Sequence, residues 1–138
     1  MIKLDSVYKY NDAEAVLYQL LAERLPSQSI SHQMLPTLNS HRRFVRSHPY
    51  RAWYLILDDE LRVGSVYLTK DREIGVFVFQ KFQRRGYGKE AIKQLMELWP
   101  GRFLANINPA NEGSIRLFQK LGFKHIQNTY SLEGPEWR

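Results

Sequence analysis

The sequence contains no cysteine among its 138 residues. This absence excludes disulfide bonds, thiolate metal ligands and a cysteine nucleophile. The four histidines are scattered along the chain, so the sequence predicts no metal site. Long hydrophobic runs are also missing, since no apolar stretch reaches the roughly 18 residues that a membrane-spanning helix needs, and the first residues lack a signal-peptide pattern. We therefore expect a cytoplasmic protein that does not enter a membrane.

The composition indicates a single folded domain over residues 1–138. Hydrophobic residues make up 43% of the chain and aromatic residues 13%, which is typical of a packed globule. The net charge is +6, and a basic surface attracts polyanions. The basic residues belong to no recognisable nucleic-acid-binding motif, however. This argues against nucleic acid as the principal partner.

Hydrophobic spacing predicts an α/β domain with a mixed sheet. A first helix is predicted to run to residue 25, with Asn11 as N-cap, Glu14 completing a capping box and Pro26 ending the helix. In a second helix, at 40–48, we expect Phe44 and Val45 to face inward. The other predicted elements are strands at 1–8, 52–57, 63–68, 73–79, 102–107 and 123–132, and helices at 89–99 and 112–121. Gly122 is expected to end the last helix in a left-handed conformation.

The most informative segment joins a predicted strand to a predicted helix and reads Gln83-Arg84-Arg85-Gly86-Tyr87-Gly88. Two glycines separated by one residue permit a tight turn that leaves backbone N–H groups uncovered, and the helix start adds partial positive charge. This combination favours binding of phosphate oxygens. The residues that define a P-loop or a dinucleotide fingerprint are absent. A diphosphate therefore fits better than a nucleoside triphosphate.

This segment and three others resemble, in their order, the GCN5-related N-acetyltransferases (GNAT), which depend on acyl-coenzyme A. The matching pieces are Glu73-Ile74-Gly75-Val76, Gln83-x-x-Gly86-x-Gly88, Asn108-x-x-Asn111 and Ser114-Ile115-x-Leu117-Phe118-x-x-Leu121-Gly122-Phe123. The resemblance covers roughly residues 50–130 and is specific because four motifs occur in one order. It implies one domain with a mixed, mostly antiparallel central sheet flanked by helices.

The resemblance implies acetyl-coenzyme A as cosubstrate. Backbone amides of the glycine-containing segment would then bind the pyrophosphate, and the strand before it would offer its backbone to the pantetheine arm. The residues assigned to cofactor binding in this way are Val76, Phe77, Val78, Gln83, Arg84, Arg85, Gly86, Tyr87, Gly88, Lys89, Asn111, Ser114 and Phe118. Asn111 serves equally well as a helix N-cap.

Acetyl transfer to an amine requires removal of a proton from an ammonium group. Glu73, next to the cofactor strand, is the candidate general base, acting through water; an exposed carboxylate at a strand end is the structural alternative. Many relatives carry a tyrosine that protonates the leaving thiolate at the position of Phe118, which has no proton to give. Tyr87, Tyr130, a water molecule or no acid at all remain open, and Tyr130 is placed on the last predicted strand.

The resemblance leads to a prediction of an N-acetyltransferase acting on a primary amine of a small molecule. The basic residues Arg42, Arg43 and Arg46 slightly favour an amino sugar linked to a nucleotide, whose phosphates they would meet. Tyr8, Tyr10, Trp53 and Tyr54 are candidates for lining the acceptor pocket, and His41 lies on the same side. Acetylation of a protein N-terminus or lysine, and a non-catalytic acyl-coenzyme A binding module, are the alternatives. The protein is expected to be a monomer or a homodimer.

Overall fold

The structure is a computed structural model that describes residues 1–24 and 35–134. It contains a four-stranded antiparallel sheet with the strand order β1-β2-β3-β4. In chain order the strands and α-helices are β1 (Ile2–Ser6), α1 (Ala13–Glu23), α2 (Leu38–Arg46), β2 (Ala52–Asp58), β3 (Leu61–Leu68), β4 (Ile74–Val78), α3 (Tyr87–Leu98) and α4 (Glu112–Lys120). Short 3-10 turns lie at Val7–Lys9 and Gln80–Phe82. The predicted fold class is confirmed.

Helices cover both faces of the sheet. One core cluster joins the sheet to α3 and α4 and includes Ile56, Ile92 and Phe118, whereas a second joins it to α1 and α2 and includes Leu17 and Leu55. Alternate residues of a strand point to opposite faces. A strand with helices on both faces therefore needs apolar residues at nearly every position. This requirement accounts for the continuous apolar run of β2.

Two details of the predicted helical layer are wrong. The N-cap of α1 is Asp12 and makes no side-chain capping bond, so the expected capping box with Asn11 does not form. The Glu14 carboxylate instead accepts hydrogen bonds from the Arg46 guanidinium at 2.8 and 3.0 Å and so links α1 to α2. Val45 is buried as expected, but Phe44 is 43% exposed. Pro26 lies outside the described residues, and α1 ends at Glu23.

Two predicted strands after α3 do not form. Residues 102–107 contribute a single parallel bridge between Glu73 and Leu104, and residues 123–132 form no strand. Strand geometry needs a neighbour that accepts and donates its backbone hydrogen bonds, and the second segment has no such neighbour in the described chain. The left-handed Gly122 is confirmed, with φ +96°. None of the described helices is long and apolar enough to cross a membrane.

Candidate functional site

The outer edge of β4 is paired only at its start. Ile74 N–H donates to the Leu104 carbonyl at 2.8 Å, after which the chain from Leu104 leaves the strand. Backbone groups of alternate residues point to opposite edges of a strand. Val76 and Val78 therefore direct their N–H and C=O groups to the same open edge as Ile74, whereas Phe77, like Phe79, faces β3. The edge can hydrogen-bond an extended amide-containing ligand.

This open edge leads directly to the start of α3. Arg84 and Gly86 have positive φ angles of +65° and +84°, and the first intrahelical bond runs from Glu90 N–H to the Gly86 carbonyl at 3.1 Å. Among the described residues, the backbone N–H groups from Arg84 to Lys89 donate no hydrogen bond. Gln83 holds the turn against the strand, since its side-chain amide donates to the Val78 carbonyl at 3.0 Å. Unpaired donors at a helix N-terminus suit an anion.

Side chains of β4 and α4 meet at Gly88 of α3, beside the open edge and this turn, and the surface between these three elements is called the groove below. A Cβ atom added at Gly88 would lie 3.6 Å from Leu117 Cδ2 and 3.9 Å from a methyl group of each of Val76 and Val78. Glycine at this position therefore keeps the groove free of a side chain. Leu117 lines the groove from α4, a role that the sequence analysis did not assign to it.

Three residues assigned to the cofactor from α4 have structural roles. The Asn111 side-chain oxygen accepts the Ser114 N–H at 3.2 Å, which caps α4. Phe118 is 4% exposed and packs edge-on against Phe123 with ring centroids 5.0 Å apart. Phe118 therefore belongs to the core beneath the groove.

Glu73 lies at the start of β4, on the side of the sheet that faces α1 and α2. Its carboxylate accepts a hydrogen bond from the Asn106 side-chain amide, and its backbone N–H donates to Thr69 Oγ1 at 2.9 Å. Its charge also contributes to raising the pKa of Tyr67, although burial of the Tyr67 ring is the larger cause. Glu73 is thus held at the start of β4, where Leu104 pairs with the strand, next to the part of the edge that is open.

Among the described residues, the hydroxyl groups of the two candidate tyrosines form no hydrogen bond with β4. Tyr130 is 88% exposed and lies in the segment without a strand. The Tyr87 hydroxyl donates to the Asp58 carboxylate, at the turn between β2 and β3, and this hydrogen bond raises the pKa of Tyr87. The described residues also contain no cluster of His, Asp and Glu suited to a metal ion.

A cavity of about 180 Å³ lies on the face of the sheet covered by α1 and α2. Its walls come from α1, α2, β2, β3 and β4 and include Arg24, His41, Tyr50, Trp53, Tyr67 and Phe77. Of the tyrosines and tryptophans expected at an acceptor pocket, only Trp53 lines this cavity. The hydroxyl of Tyr8 donates to the Val45 carbonyl, that of Tyr10 to Asp5, and that of Tyr54 accepts from Trp99. Arg24 and Tyr67 were not found from the sequence, because neither residue belongs to a motif that indicates binding.

The wall of this cavity depends on a glycine in β4. A Cβ atom at Gly75 would lie 2.1 Å from Tyr67 Cζ, and the Tyr67 ring stacks on Tyr50 with centroids 4.0 Å apart and planes at 4°. We expect Gly75→Ala to displace the Tyr67 ring and to lower the free energy of unfolding by about 1–3 kcal/mol, the usual effect of overpacking. Urea denaturation followed by circular dichroism measures this change.

Gly113→Ala is the matched control for that variant. A Cβ atom at Gly113 would meet only Asn111 Oδ1, at 3.8 Å, and alanine is favoured over glycine in a helix by up to about 1 kcal/mol. The control should therefore be neutral or stabilising. If Gly75→Ala were as stable as the control, the close contact between Gly75 and Tyr67 would not constrain the cavity wall.

Comparison with known proteins shows a family whose model matches most of the sequence. The family model described as "Acetyltransferase (GNAT) domain" matches residues 4–124. No curated protein matches the sequence significantly. Among solved structures, a domain from Methanocaldococcus jannaschii has a TM-score of 0.78 at 20% identity, over 94% of this chain and 92% of that chain.

Two further structures share the fold. A ribosomal-protein-alanine N-acetyltransferase from Brucella melitensis has a TM-score of 0.68 at 18% identity, over 92% of this chain and 86% of that one. The structure of yncA from Salmonella typhimurium with its cofactor acetyl-CoA has a TM-score of 0.66 at 16% identity, over 89% of this chain and 78% of that one. At these identities the likeness concerns the fold.

Proposed function

The chain belongs to the GNAT acetyltransferase family, and from this premise we propose that it transfers an acetyl group from acetyl-coenzyme A to a primary amine of a small molecule. The observation that carries the proposal is the open edge of β4 beside the start of α3, where the backbone groups of Val76 and the N–H of Val78 are free and the Val78 carbonyl accepts the Gln83 side-chain amide. The edge suits the amide groups of a pantetheine arm, and the unpaired N–H groups from Arg84 to Lys89 suit a pyrophosphate.

In the proposed reaction, an amine from the acceptor side of β4 meets the thioester of the cofactor bound along the strand. The amine nitrogen attacks the thioester carbon, the C–N bond forms, and the C–S bond breaks as the tetrahedral intermediate collapses. Glu73 accepts the proton lost by the amine, through water, and the released thiolate takes a proton from solvent. A tyrosine at the position of Phe118 is not required, because a coenzyme A thiolate is an acceptable leaving group.

The acceptor is proposed to enter from the cavity on the α1–α2 face. Phe77 lines this cavity and lies between Val76 and Val78 in β4, so the cavity and the cofactor edge share one strand. Two of the three arginines expected to meet nucleotide phosphates are engaged elsewhere: Arg42 and Arg46 pair with Glu14 at 3.9 and 2.8 Å. A small amine fits a cavity of about 180 Å³ better than a nucleotide-linked sugar does.

The test of this proposal has two stages. Purified protein is titrated with acetyl-coenzyme A, coenzyme A and ATP by calorimetry, and coenzyme A release is then followed with a panel of primary amines by thiol detection. We expect selective binding of the coenzyme A compounds and amine-dependent thiol release. Binding without release for any amine would indicate a non-catalytic acyl-coenzyme A module, and no binding at all would overturn the proposal.

A further inference from the structure

The cavity between α1, α2 and the sheet contains buried polar atoms without partners. His41 is 6% exposed and Trp53 is 8% exposed, and both line the cavity. In the part of the chain that the structure describes, His41 Nε2, Trp53 Nε1 and Arg24 Nε have no hydrogen-bond partner. Buried polar groups are almost always paired in folded proteins, so three in one cavity indicate a ligand that pairs with them.

The charge of this cavity is positive. The Arg24 guanidinium lies 4.2 Å from the centroid of the Phe77 ring, and among the described residues no carboxylate forms an ion pair with it. The following residues 25–34, which lie outside the description, contain no Asp or Glu. Burial lowers the pKa of Arg24, and it also lowers the pKa of His41. A cation that is partly desolvated and unpaired is costly in the free protein, and an anion would offset that cost.

The remaining wall of the cavity is aromatic. Tyr50 stacks on Tyr67, Trp53 meets Tyr50 edge-on with centroids 4.7 Å apart, and Phe77 carries Arg24 on its face. An aromatic cage without a resident cation would suit an ammonium group. Here Arg24 already occupies the face of Phe77, so a second cation would be repelled and an anion attracted.

From this geometry we infer that the cavity binds a carboxylate of the acetyl acceptor, with Arg24, His41 and Trp53 as the recognising side chains. The substrate class is therefore a small amino acid or another amine that carries a carboxylate. The inference rests on the proposed function for the role of the acceptor, but the binding of a carboxylate is testable by itself.

The test uses three probes of nearly equal size: benzoate, benzamide and benzylamine. The Trp53 indole N–H signal, assigned from its loss in Trp53→Phe, is followed by NMR during each titration. We expect benzoate to shift this signal and to bind at least 10-fold more tightly than benzamide, because only benzoate pairs with the cation. Benzylamine should not bind. Equal affinity for benzoate and benzamide, no response to benzoate, or a preference for benzylamine would overturn the inference.

Variants separate recognition by Arg24 from general electrostatic attraction. Arg24→Gln should weaken benzoate binding about 10-fold or more and leave benzamide unaffected, while Arg24→Lys retains part of the affinity. Arg116→Gln removes the same charge from an exposed residue of α4 that does not line the cavity, and it should change nothing. If Arg116→Gln weakened benzoate binding as much as Arg24→Gln, the cavity would not be the binding site. If Arg24→Gln fails to fold, two measurements still test the inference: the comparison of the three probes on the wild type, and the affinity of Arg24→Lys for benzoate.

The rate of acetyl transfer provides a second test of carboxylate recognition. 4-(Aminomethyl)benzoate and its carboxamide are compared as acceptors, and the carboxylate should have the higher kcat/KM, with the preference lost in Arg24→Gln. Equal kcat/KM for the two acceptors would overturn the acceptor role of the cavity. If acetyl-coenzyme A does not bind and no amine releases thiol, the proposed function fails while a positive benzoate titration still supports a carboxylate site.

Discussion

Gly88→Leu is expected to weaken acetyl-coenzyme A binding by about 100-fold, equivalent to roughly 2.7 kcal/mol, with little loss of stability. The added side chain would pack onto Leu117, Val76 and Val78, since a Cβ atom at this position already lies 3.6–3.9 Å from each of them. It would therefore fill the groove that the proposed pantetheine arm occupies. Leucine is also favoured over glycine in a helix, so α3 should remain folded. Calorimetric titration with acetyl-coenzyme A measures the effect.

The control for this variant adds the same side chain to the same helix. Lys93 is exposed on α3, and Lys93→Leu should leave the affinity for acetyl-coenzyme A unchanged. Thermal unfolding of both variants verifies that each is folded. Full affinity in a folded Gly88→Leu protein would exclude this groove as the cofactor site.

Glu73→Gln is expected to lower kcat by about 100-fold, a typical contribution of a general base, while acetyl-coenzyme A affinity stays the same. The substitution is conservative in structure, because the glutamine side-chain oxygen can still accept the hydrogen bond from Asn106. It removes the ability to take up the proton that the amine loses. Steady-state kinetics over a range of pH, together with calorimetry, measures both quantities.

Glu112→Gln is the corresponding control. Glu112 is an exposed carboxylate in the first turn of α4 that meets Arg116 at 3.8 Å, so its loss should not affect turnover. An unchanged kcat in Glu73→Gln would remove Glu73 from the mechanism. A fall in kcat accompanied by an equal loss of cofactor affinity would instead indicate that Glu73 shapes the cofactor edge.

Local sequence predicted most of the elements that position the site. The apolar runs of β2 and β3 and the periodic helix α3 are specified by residues close in the chain, and their bounds agree with prediction within a few residues. Gly122 was predictable for the same reason, because a left-handed residue at a helix end favours glycine. The strand predicted at 102–107 was wrong because its apolar pattern could not show that the chain leaves β4 after Leu104.

The sequence by itself determined the fold class, the family resemblance and the segment from Gln83 to Lys89 at the start of α3, since these depend on short motifs and local periodicity. Only the tertiary structure decided which backbone groups of β4 are free, because that depends on where its neighbouring segment departs. The tertiary structure also brought Arg24, His41 and Trp53 into one cavity. Arg24 follows the last residue of α1, His41 lies on α2 and Trp53 on β2. Long-range packing of helices on a sheet sets their proximity, which no spacing along the chain records.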